Sequence, residues 1–183
     1  VVGLMGFGNV GSKVCKFLGG FGCKILVYDP YVKETGFDYA KLVDMDTLLK
    51  NSDIISLHMR VTPETTGIVD MDIFKKMKKI AIFINSARGP LVNYKDLYIA
   101  LKEKIIDRAA LDTFEYEPIE DGNPLYELDN VTITNHIAGC SRDAAYISGE
   151  IASKDLRDFI DGKEVKNILN KIFDQFFLLP FVL

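Results

Sequence analysis

The sequence predicts an α/β fold built on a doubly wound parallel sheet with helices on both faces. Short apolar runs of strand length alternate with longer segments whose apolar residues recur at helical spacing. A glycine-rich turn lies between the first of these strands and the first helix. Strands that alternate with helices form βαβ units, which build parallel sheets. A chain of 183 residues has room for one such domain and a short appendage.

The predicted elements follow one another along the whole chain. Strands are predicted at residues 1–5, 24–28, 54–57, 80–84, 108–111 and 131–134. The first helix is predicted where Val10, Val14, Phe17, Leu18 and Phe21 recur at helical spacing, and further helices over residues 46–50, 71–79, 93–103 and 142–160. Asn93 is suited to cap the fourth helix, and Gly162 is suited to end the last one.

Composition and charge exclude several classes of protein. There are 22 Lys and Arg against 26 Asp and Glu, and no stretch forms the positive stripe that binds a phosphate backbone, so nucleic acid is not expected as a partner. Cys15, Cys23 and Cys140 are an odd number without a C-x-x-C pair, which predicts neither a disulfide framework nor a metal site. Reduced thiols of this kind are typical of a cytoplasmic protein.

The sequence closes with an apolar segment, residues 172–183, in which nine residues of twelve are apolar. A membrane-spanning helix takes ~20 apolar residues, so no membrane partner is expected. The segment is predicted to pack on this domain or on a missing lobe, with a dimerisation or swapping element as the alternative. The first residue is not Met and no signal-like segment precedes the first strand, which favours a piece of a longer chain.

The turn after the first strand reads Gly6-Phe7-Gly8-Asn9-Val10-Gly11 and opens a helix, which is a Rossmann-type dinucleotide-binding pattern. Its first glycine permits the tight turn, the second lets a pyrophosphate approach the backbone, and the third lets helix and strand pack closely. N–H groups at the helix start attract phosphates. Glycine turns are common in α/β folds, but here the second strand is followed by Asp29, where an acid binds the adenosine ribose and repels a 2′-phosphate. This context favours NAD over NADP; a plain turn residue before Pro30 is the alternative interpretation of Asp29.

Three further clusters, residues 85–89, 112–118 and 135–139, follow strands in the second half of the chain. Ligands bind at the carboxyl ends of strands in open α/β sheets, so the clusters are expected at one cleft. His136 can take the hydroxyl proton as hydride leaves a 2-hydroxy acid, because an imidazole exchanges protons near neutral pH. Glu117 can orient that ring, and Arg88 can bind a carboxylate in a fork or polarise a carbonyl.

Each of these three residues also has a structural explanation. An arginine beside a glycine is often a surface residue, an acidic loop is often only solvated, and a histidine at a strand end often serves as a hydrogen-bonding group. Their order on one βαβ scaffold favours the catalytic interpretation. His58 also follows a strand, in a segment expected along the cofactor cleft, and its side chain is predicted to be structural.

Taken in order, the motifs resemble the cofactor-binding domain of the D-isomer-specific 2-hydroxyacid dehydrogenases, a family with phosphoglycerate, D-lactate and glyoxylate or hydroxypyruvate members. The resemblance rests on GFGNVG, VYDP, VTPETTG, INSARG, ALDTFEYEP and NHIAG. It implies a Rossmann-type NAD-binding domain over residues 1–170, followed by an apolar tail, residues 171–183. The family's substrate lobe, built mainly from chain before the glycine turn, is expected to be missing here.

The resemblance also implies roles for single residues. Arg88 matches the substrate-binding arginine, Glu117 the histidine-orienting glutamate and His136 the acid/base. Asp112 is expected near the carboxamide or ring of the nicotinamide. The full set of positions that match cofactor contacts is Gly6, Gly8, Asn9, Val10, Gly11, Asp29, Met59, Ser86, Ala87, Arg88, Asp112, His136, Ala138 and Gly139.

The resulting hypothesis is a cytoplasmic, homodimeric enzyme that transfers hydride between NAD(H) and a D-2-hydroxy acid or its 2-keto acid. Glu117 argues against the formate-oxidising branch of the family, which has glutamine there. Arg60 and Asn135 depart from the family pattern, in which proline is usual at both positions. The alternative hypothesis is an NAD-binding or sensing module without turnover, either corepressor-like or inactive because a lobe is missing.

Overall fold

The computed structural model describes residues 1–168, and these contain one seven-stranded sheet. Its strands are β1 (Val2–Met5), β2 (Ile25–Tyr28), β3 (Ala40–Leu42), β4 (Ile54–Leu57), β5 (Ile82–Asn85), β6 (Arg108–Leu111) and β7 (Val131–Ile133). They lie in the order β3-β2-β1-β4-β5-β6-β7, and each neighbouring pair is parallel. The predicted α/β fold with a parallel sheet is confirmed.

The order of the strands reverses at β1. The chain moves outward from β1 to β2 and β3, then returns to place β4 on the other side of β1. A crevice opens at such a switch point, outside the carboxyl ends of the two strands, and there open α/β sheets bind their ligands. In this chain the glycine turn leads out of β1 into that crevice.

Four of the five α-helices within residues 1–168 begin with a side-chain cap. The helices are α1 (Asn9–Gly19), α2 (Met45–Asn51), α3 (Met71–Lys76), α4 (Tyr94–Lys102) and α5 (Arg142–Ile160), and 3₁₀ turns cover Gly89–Leu91 and Pro124–Glu127. The capping residues of α2 to α5 are Asp44, Asp70, Asn93 and Ser141, each of which accepts a hydrogen bond from a first-turn N–H. Within residues 1–168, α1 alone starts without a side-chain cap, at Gly8.

Buried apolar side chains hold the helices on the sheet. Side chains of a strand alternate between its faces, and β1 accordingly sends Leu4 into one apolar cluster and Met5 into another. In the larger cluster the Phe74 ring of α3 meets the Phe83 ring of β5 edge to face, with 5.4 Å between the ring centroids. This packing fixes the strand ends that carry the candidate site.

Several element ends differ from the predicted bounds by one residue, and three differences are larger. The short edge strand β3 was not predicted, because three residues carry too little pattern. The helix predicted over 71–79 ends at Lys76, and the next strand starts at Ile82, because the intervening residues turn and leave Ile80 exposed. The predicted first helix is confirmed as α1, and Val14 and Leu18 pack against the smaller apolar cluster, but Val10 and Phe17 are exposed and Phe21 lies beyond the end of the helix.

Residues Val1–Ala138 form one compact unit, and a second unit begins at Gly139. The described part of the second unit consists mainly of α5, whose predicted bounds are confirmed; Gly162 follows it with a φ of +69°, as expected of a helix stop. The apolar side chains of α5, among them Ile147 and Leu156, are exposed. The predicted domain limit at residue 170 and the tail lie outside the described residues. Among the helices of residues 1–168, none has the length and apolarity needed to cross a membrane.

Candidate functional site

The glycine turn is tightly packed on one side and open on the other. Gly6 has a φ of +98°, and a Cβ there would lie 2.7 Å from the backbone of His58 and Met59. A Cβ on Gly11 would overlap the carbonyl oxygen of Gly6. At Gly8 a Cβ would meet no atom within 4 Å. The first and third glycines are therefore required by packing, and the second faces open space at the uncapped start of α1, which fits a phosphate group.

Asp29 is tied to this turn. Its Oδ2 accepts a hydrogen bond from the N–H of Phe7 over 2.7 Å, and its Oδ1 accepts one from the N–H of Tyr31 over 2.9 Å. A carboxylate offers about four acceptor positions, so the two oxygens keep capacity for further donors such as ribose hydroxyls. The carboxylate of Asp29, the residue predicted to bind the adenosine ribose, is therefore held directly beside the glycine turn.

The loop that carries Arg88 is held by the buried side-chain amide of Asn85. Asn85, fully buried at the end of β5, donates through Nδ2 to the carbonyl oxygen of Arg88 over 3.0 Å and accepts through Oδ1 from the N–H of Ala87 over 3.1 Å. The Arg88 side chain is exposed, and its Nη1 donates to the carbonyl of Ala87 over 2.6 Å. A Cβ on Gly89 would overlap the backbone of Phe114. The arginine loop thus lies directly against the segment that carries Glu117.

Glu117 and His136 form a hydrogen-bonded pair. Oε2 of Glu117 lies 2.7 Å from Nδ1 of His136, and Oε1 accepts a hydrogen bond from the N–H of Phe114 over 2.9 Å. The bond to His136, followed by the bond from Phe114, holds the pKa of Glu117 below its ordinary value, against a smaller opposite effect of burial. With Nδ1 on the carboxylate, proton exchange with a substrate would use Nε2, on the opposite side of the ring.

Asp112 anchors the loop that carries His136. Its carboxylate is buried and accepts three hydrogen bonds: from the Thr134 hydroxyl over 2.5 Å, and from the N–H groups of Ile137 and Ala138 over 2.9 Å each. Burial alone would raise the pKa of Asp112, but these bonds outweigh it and the pKa is lowered. The observed contacts are structural, and the expected contact to a nicotinamide stays a prediction.

A cleft of about 360 Å³ lies beside the pair. Its lining residues are Phe114, Glu117, Pro118, Ile119, Asn135 and His136. The mixture of apolar walls with a carboxylate, an amide and an imidazole is typical of small-molecule sites. Asn135, one of the two departures from the family pattern, is part of this wall.

The structure brings most of the predicted site residues together in two groups within residues 1–138. The turn residues, Asp29 and Met59 lie around the end of β1, and Arg88, Asp112, Glu117, His136 and Ala138 are linked through the contacts above. Gly139 belongs to the second unit.

Two contributors were not singled out from the sequence. Asn85 stands inside the quoted INSARG motif, whereas nothing in the sequence around Tyr94 indicates that its hydroxyl donates to the carbonyl of Thr113.

His58 has the structural role predicted for its side chain. Its Nε2 lies 3.0 Å from the hydroxyl of the buried Ser56, and desolvation by burial lowers the pKa of His58 to about 4. The ring is therefore neutral at pH 7. Among the described residues, no group of three or more His, Cys, Asp or Glu side chains is arranged to hold a metal ion.

Comparison with known proteins places this site in a family. Residues 1–138 match the model of the D-isomer specific 2-hydroxyacid dehydrogenase, NAD binding domain. The chain is 39% identical to a D-3-phosphoglycerate dehydrogenase of Archaeoglobus fulgidus over 186 aligned residues, which cover 98% of this chain and 35% of the relative. A glyoxylate reductase of Thermofilum pendens is 40% identical over 93% of this chain and 51% of its own length.

A solved structure agrees with these relatives. The D-lactate dehydrogenase of Lactobacillus jensenii, determined with NAD⁺, matches with a TM-score of 0.86 and 31% identity, over 93% of this chain and 55% of that protein. The chain thus spans between about a third and about half of the relatives it matches. By family model, sequence and fold alike, this chain belongs to the D-isomer specific 2-hydroxyacid dehydrogenases and contains their NAD binding domain.

Proposed function

We propose that this chain carries the catalytic groups of an enzyme that transfers hydride between NAD(H) and a D-2-hydroxy acid or the corresponding 2-keto acid. The observation that carries the proposal is the Glu117–His136 hydrogen bond of 2.7 Å, formed beside a cleft and next to the Arg88 loop. Proton transfer, ring orientation and carboxylate binding are the three tasks that oxidation of a 2-hydroxy acid gives to side chains.

Each catalytic residue has a separate role in this reaction. Bound NAD⁺ supplies the acceptor for the hydride that leaves C2 of the hydroxy acid. His136 takes the hydroxyl proton on Nε2 as that C–H bond breaks, so that the C–O bond becomes a carbonyl. Glu117 holds the ring by Nδ1 and stabilises the imidazolium that forms. Arg88, a planar cation on the loop that packs against the Glu117 segment, pairs with the substrate carboxylate. In the reverse direction His136 returns the proton to the carbonyl oxygen.

The choice of NAD over NADP is supported by Asp29. Its carboxylate is fixed by the backbone N–H groups of Phe7 and Tyr31, so its negative charge stays where an adenosine ribose would lie. A 2′-phosphate brings a second negative charge to that place, and two like charges about 4 Å apart repel by roughly 1 to 4 kcal/mol in a partly solvated site. A cytoplasmic location and a homodimer remain predictions.

A binding and turnover experiment tests the proposal. The 183-residue chain is titrated with NADH, followed by the change in NADH fluorescence, and is then given a panel of 2-keto acids while NADH absorbance is recorded. We expect NADH to bind and at least one 2-keto acid to be reduced, with His136→Gln reducing the rate while NADH still binds. Absence of NADH binding would remove the proposal altogether.

A second candidate function is an NAD-binding module without turnover. Its supporting observation is the openness of the pair: the side chains of His136 and Glu117 are 45% and 36% exposed. A dehydrogenase site excludes water when it works, whereas these two side chains are open to solvent within residues 1–168. NADH binding with no reduction of any 2-keto acid would favour this candidate.

A further inference from the structure

A continuous run of hydrogen bonds reaches the Glu117–His136 pair from helix α4. The hydroxyl of Tyr94, in the first turn of α4, donates to the carbonyl oxygen of Thr113. The N–H of that same peptide unit belongs to Phe114 and donates to Oε1 of Glu117 over 2.9 Å. The other carboxylate oxygen, Oε2, holds Nδ1 of His136. We propose that Tyr94 is a positioning residue. It fixes the Glu117 carboxylate through one peptide unit, and through that carboxylate it fixes the imidazole.

The peptide unit couples its two ends electrostatically. When a carbonyl accepts a hydrogen bond, the amide is polarised and the N–H of the same unit becomes a stronger donor. The Tyr94 hydroxyl therefore strengthens the bond from Phe114 to the carboxylate. Burial raises the pKa of Tyr94, so the hydroxyl keeps its proton and stays a donor throughout the range in which histidines titrate.

Packing fixes the direction of this hydroxyl. The Tyr94 ring is half-buried and lies 5.9 Å, centroid to centroid, from the buried ring of Phe114. Thr113 is fully buried, so its carbonyl oxygen is shielded from bulk water. Removing the Tyr94 oxygen thus leaves an unsatisfied acceptor at one end of the peptide unit and a weaker donor at the other.

The catalytic meaning of this inference rests on the proposed function, but the hydrogen bonds can be tested without turnover. Tyr94→Phe is compared with the wild-type chain by NMR. One readout is the titration of the Glu117 carboxyl carbon, assigned with Glu117→Gln, and the other is the Nδ1–H resonance of His136. We expect the Glu117 pKa to rise toward its ordinary value by several tenths of a unit, and the Nδ1–H resonance to move upfield. The chain has two histidines, so the His58 resonances serve as an internal reference.

Tyr98→Phe is the matched control. Tyr98 lies one turn further along α4, where its hydroxyl accepts a hydrogen bond from Nζ of Lys102 over 3.1 Å, and its loss should move neither readout. A folded Tyr94→Phe chain with unchanged Glu117 titration and unchanged His136 resonance overturns the inference.

A second variant covers the case in which Tyr94→Phe does not fold. The phenol of 3-fluorotyrosine is more acidic and is a stronger donor, so placing it at position 94 alone should shift the Glu117 pKa in the opposite direction, downward. No shift overturns the inference. Failure to bind NADH would defeat the proposed function while leaving both NMR outcomes readable.

Discussion

His136 adopts a backbone conformation that few residues with a side chain adopt. Its φ is +55°, in the left-handed region, where histidine is one of the better tolerated residue types. Such a conformation costs on the order of 1 kcal/mol and persists only where the surroundings fix it. Here the next two N–H groups, of Ile137 and Ala138, are both bound by Asp112. A buried carboxylate therefore sets the direction of the imidazole that Glu117 then orients.

Replacing Glu117 by glutamine tests the charge of the pair at nearly constant shape. The amide can still accept a hydrogen bond from Nδ1 of His136, but it cannot stabilise an imidazolium, so kcat/KM for 2-keto acid reduction should fall about 100-fold or more. The rate is measured with NADH at neutral pH. Glu115→Gln, which removes the same charge from an exposed position in the same loop, should keep the wild-type rate. A Glu117→Gln chain of full activity would contradict the assigned role.

Replacing Asp29 by asparagine tests cofactor selection. Without the negative charge, the penalty on a 2′-phosphate is relieved, so the ratio of NADPH to NADH affinity should rise about 10-fold or more. Asparagine retains only one acceptor for the N–H groups of Phe7 and Tyr31, so NADH affinity itself should also fall. Both affinities are obtained by fluorescence titration, with Asp38→Asn at an exposed position between β2 and β3 as the charge-matched control. An unchanged affinity ratio would show that Asp29 does not select the cofactor.

At the level of elements, two glycines at the start of α1 have different roles: Gly11 is required by packing, whereas Gly8 faces the space proposed for a ligand. Gly11→Ala places a methyl group against the Gly6 carbonyl and should lower the free energy of unfolding by about 1 to 3 kcal/mol. Gly8→Ala meets no atom and keeps an ordinary φ of −76°, so its cost should stay below about 1 kcal/mol. It nevertheless fills the space proposed for the pyrophosphate, and NADH affinity should fall at least about 10-fold.

Urea unfolding and NADH titration of both glycine variants check this pair of expectations. The two variants carry the same methyl group on the same turn, so each controls for the other. Equal losses of stability, or full NADH affinity in Gly8→Ala, would contradict the division of roles between the two glycines.

The elements also show what sequence patterns can and cannot predict. The strands β4 and β6 and the helix α5 have the predicted bounds, because a continuous apolar run or a long helical repeat defines each of them. Asn93 caps α4 as predicted, since capping needs only local residues. The spacing of apolar residues predicted α1 but not which of them are buried, because burial depends on what covers the helix: Val14 and Leu18 are packed, whereas Val10 and Phe17 are exposed. Likewise, the role of Asp112 as a loop anchor and the bond from Tyr94 depend on contacts between distant segments, and no local pattern reveals them.

At the scale of the molecule, the sheet topology brings the candidate groups to one edge. The glycine turn follows β1, Arg88 follows β5, Asp112 and Glu117 follow β6, and His136 follows β7. All these strands are parallel, so their carboxyl ends share that edge. The segment after β4, which contains His58, packs against Gly6 and belongs to the same edge. Because the His58 ring is buried there and its pKa is lowered, the stability of the folded unit depends on pH through this residue.

Acidification is expected to lower the free energy of unfolding through His58. Burial lowers the pKa of His58 to about 4, whereas an unfolded chain has an ordinary histidine pKa of ~6.5. Between these values the unfolded state binds a proton that the folded state does not. Stability is therefore fully present above pH 6.5, falls by about 3 kcal/mol as pH drops toward 4, and changes no further through this group below that.

Urea unfolding at intervals between pH 7 and 4 measures this loss, and His58→Gln separates it from the carboxylates. Glutamine does not titrate and can still hydrogen-bond to the hydroxyl of Ser56, so its stability curve lacks the histidine contribution while every Asp and Glu titrates as before. The wild-type chain should therefore lose stability relative to His58→Gln as pH falls. A difference between the two chains that stays constant from pH 7 to 4 would mean that His58 takes up its proton as readily in the folded chain as in the unfolded chain, and it would contradict this prediction.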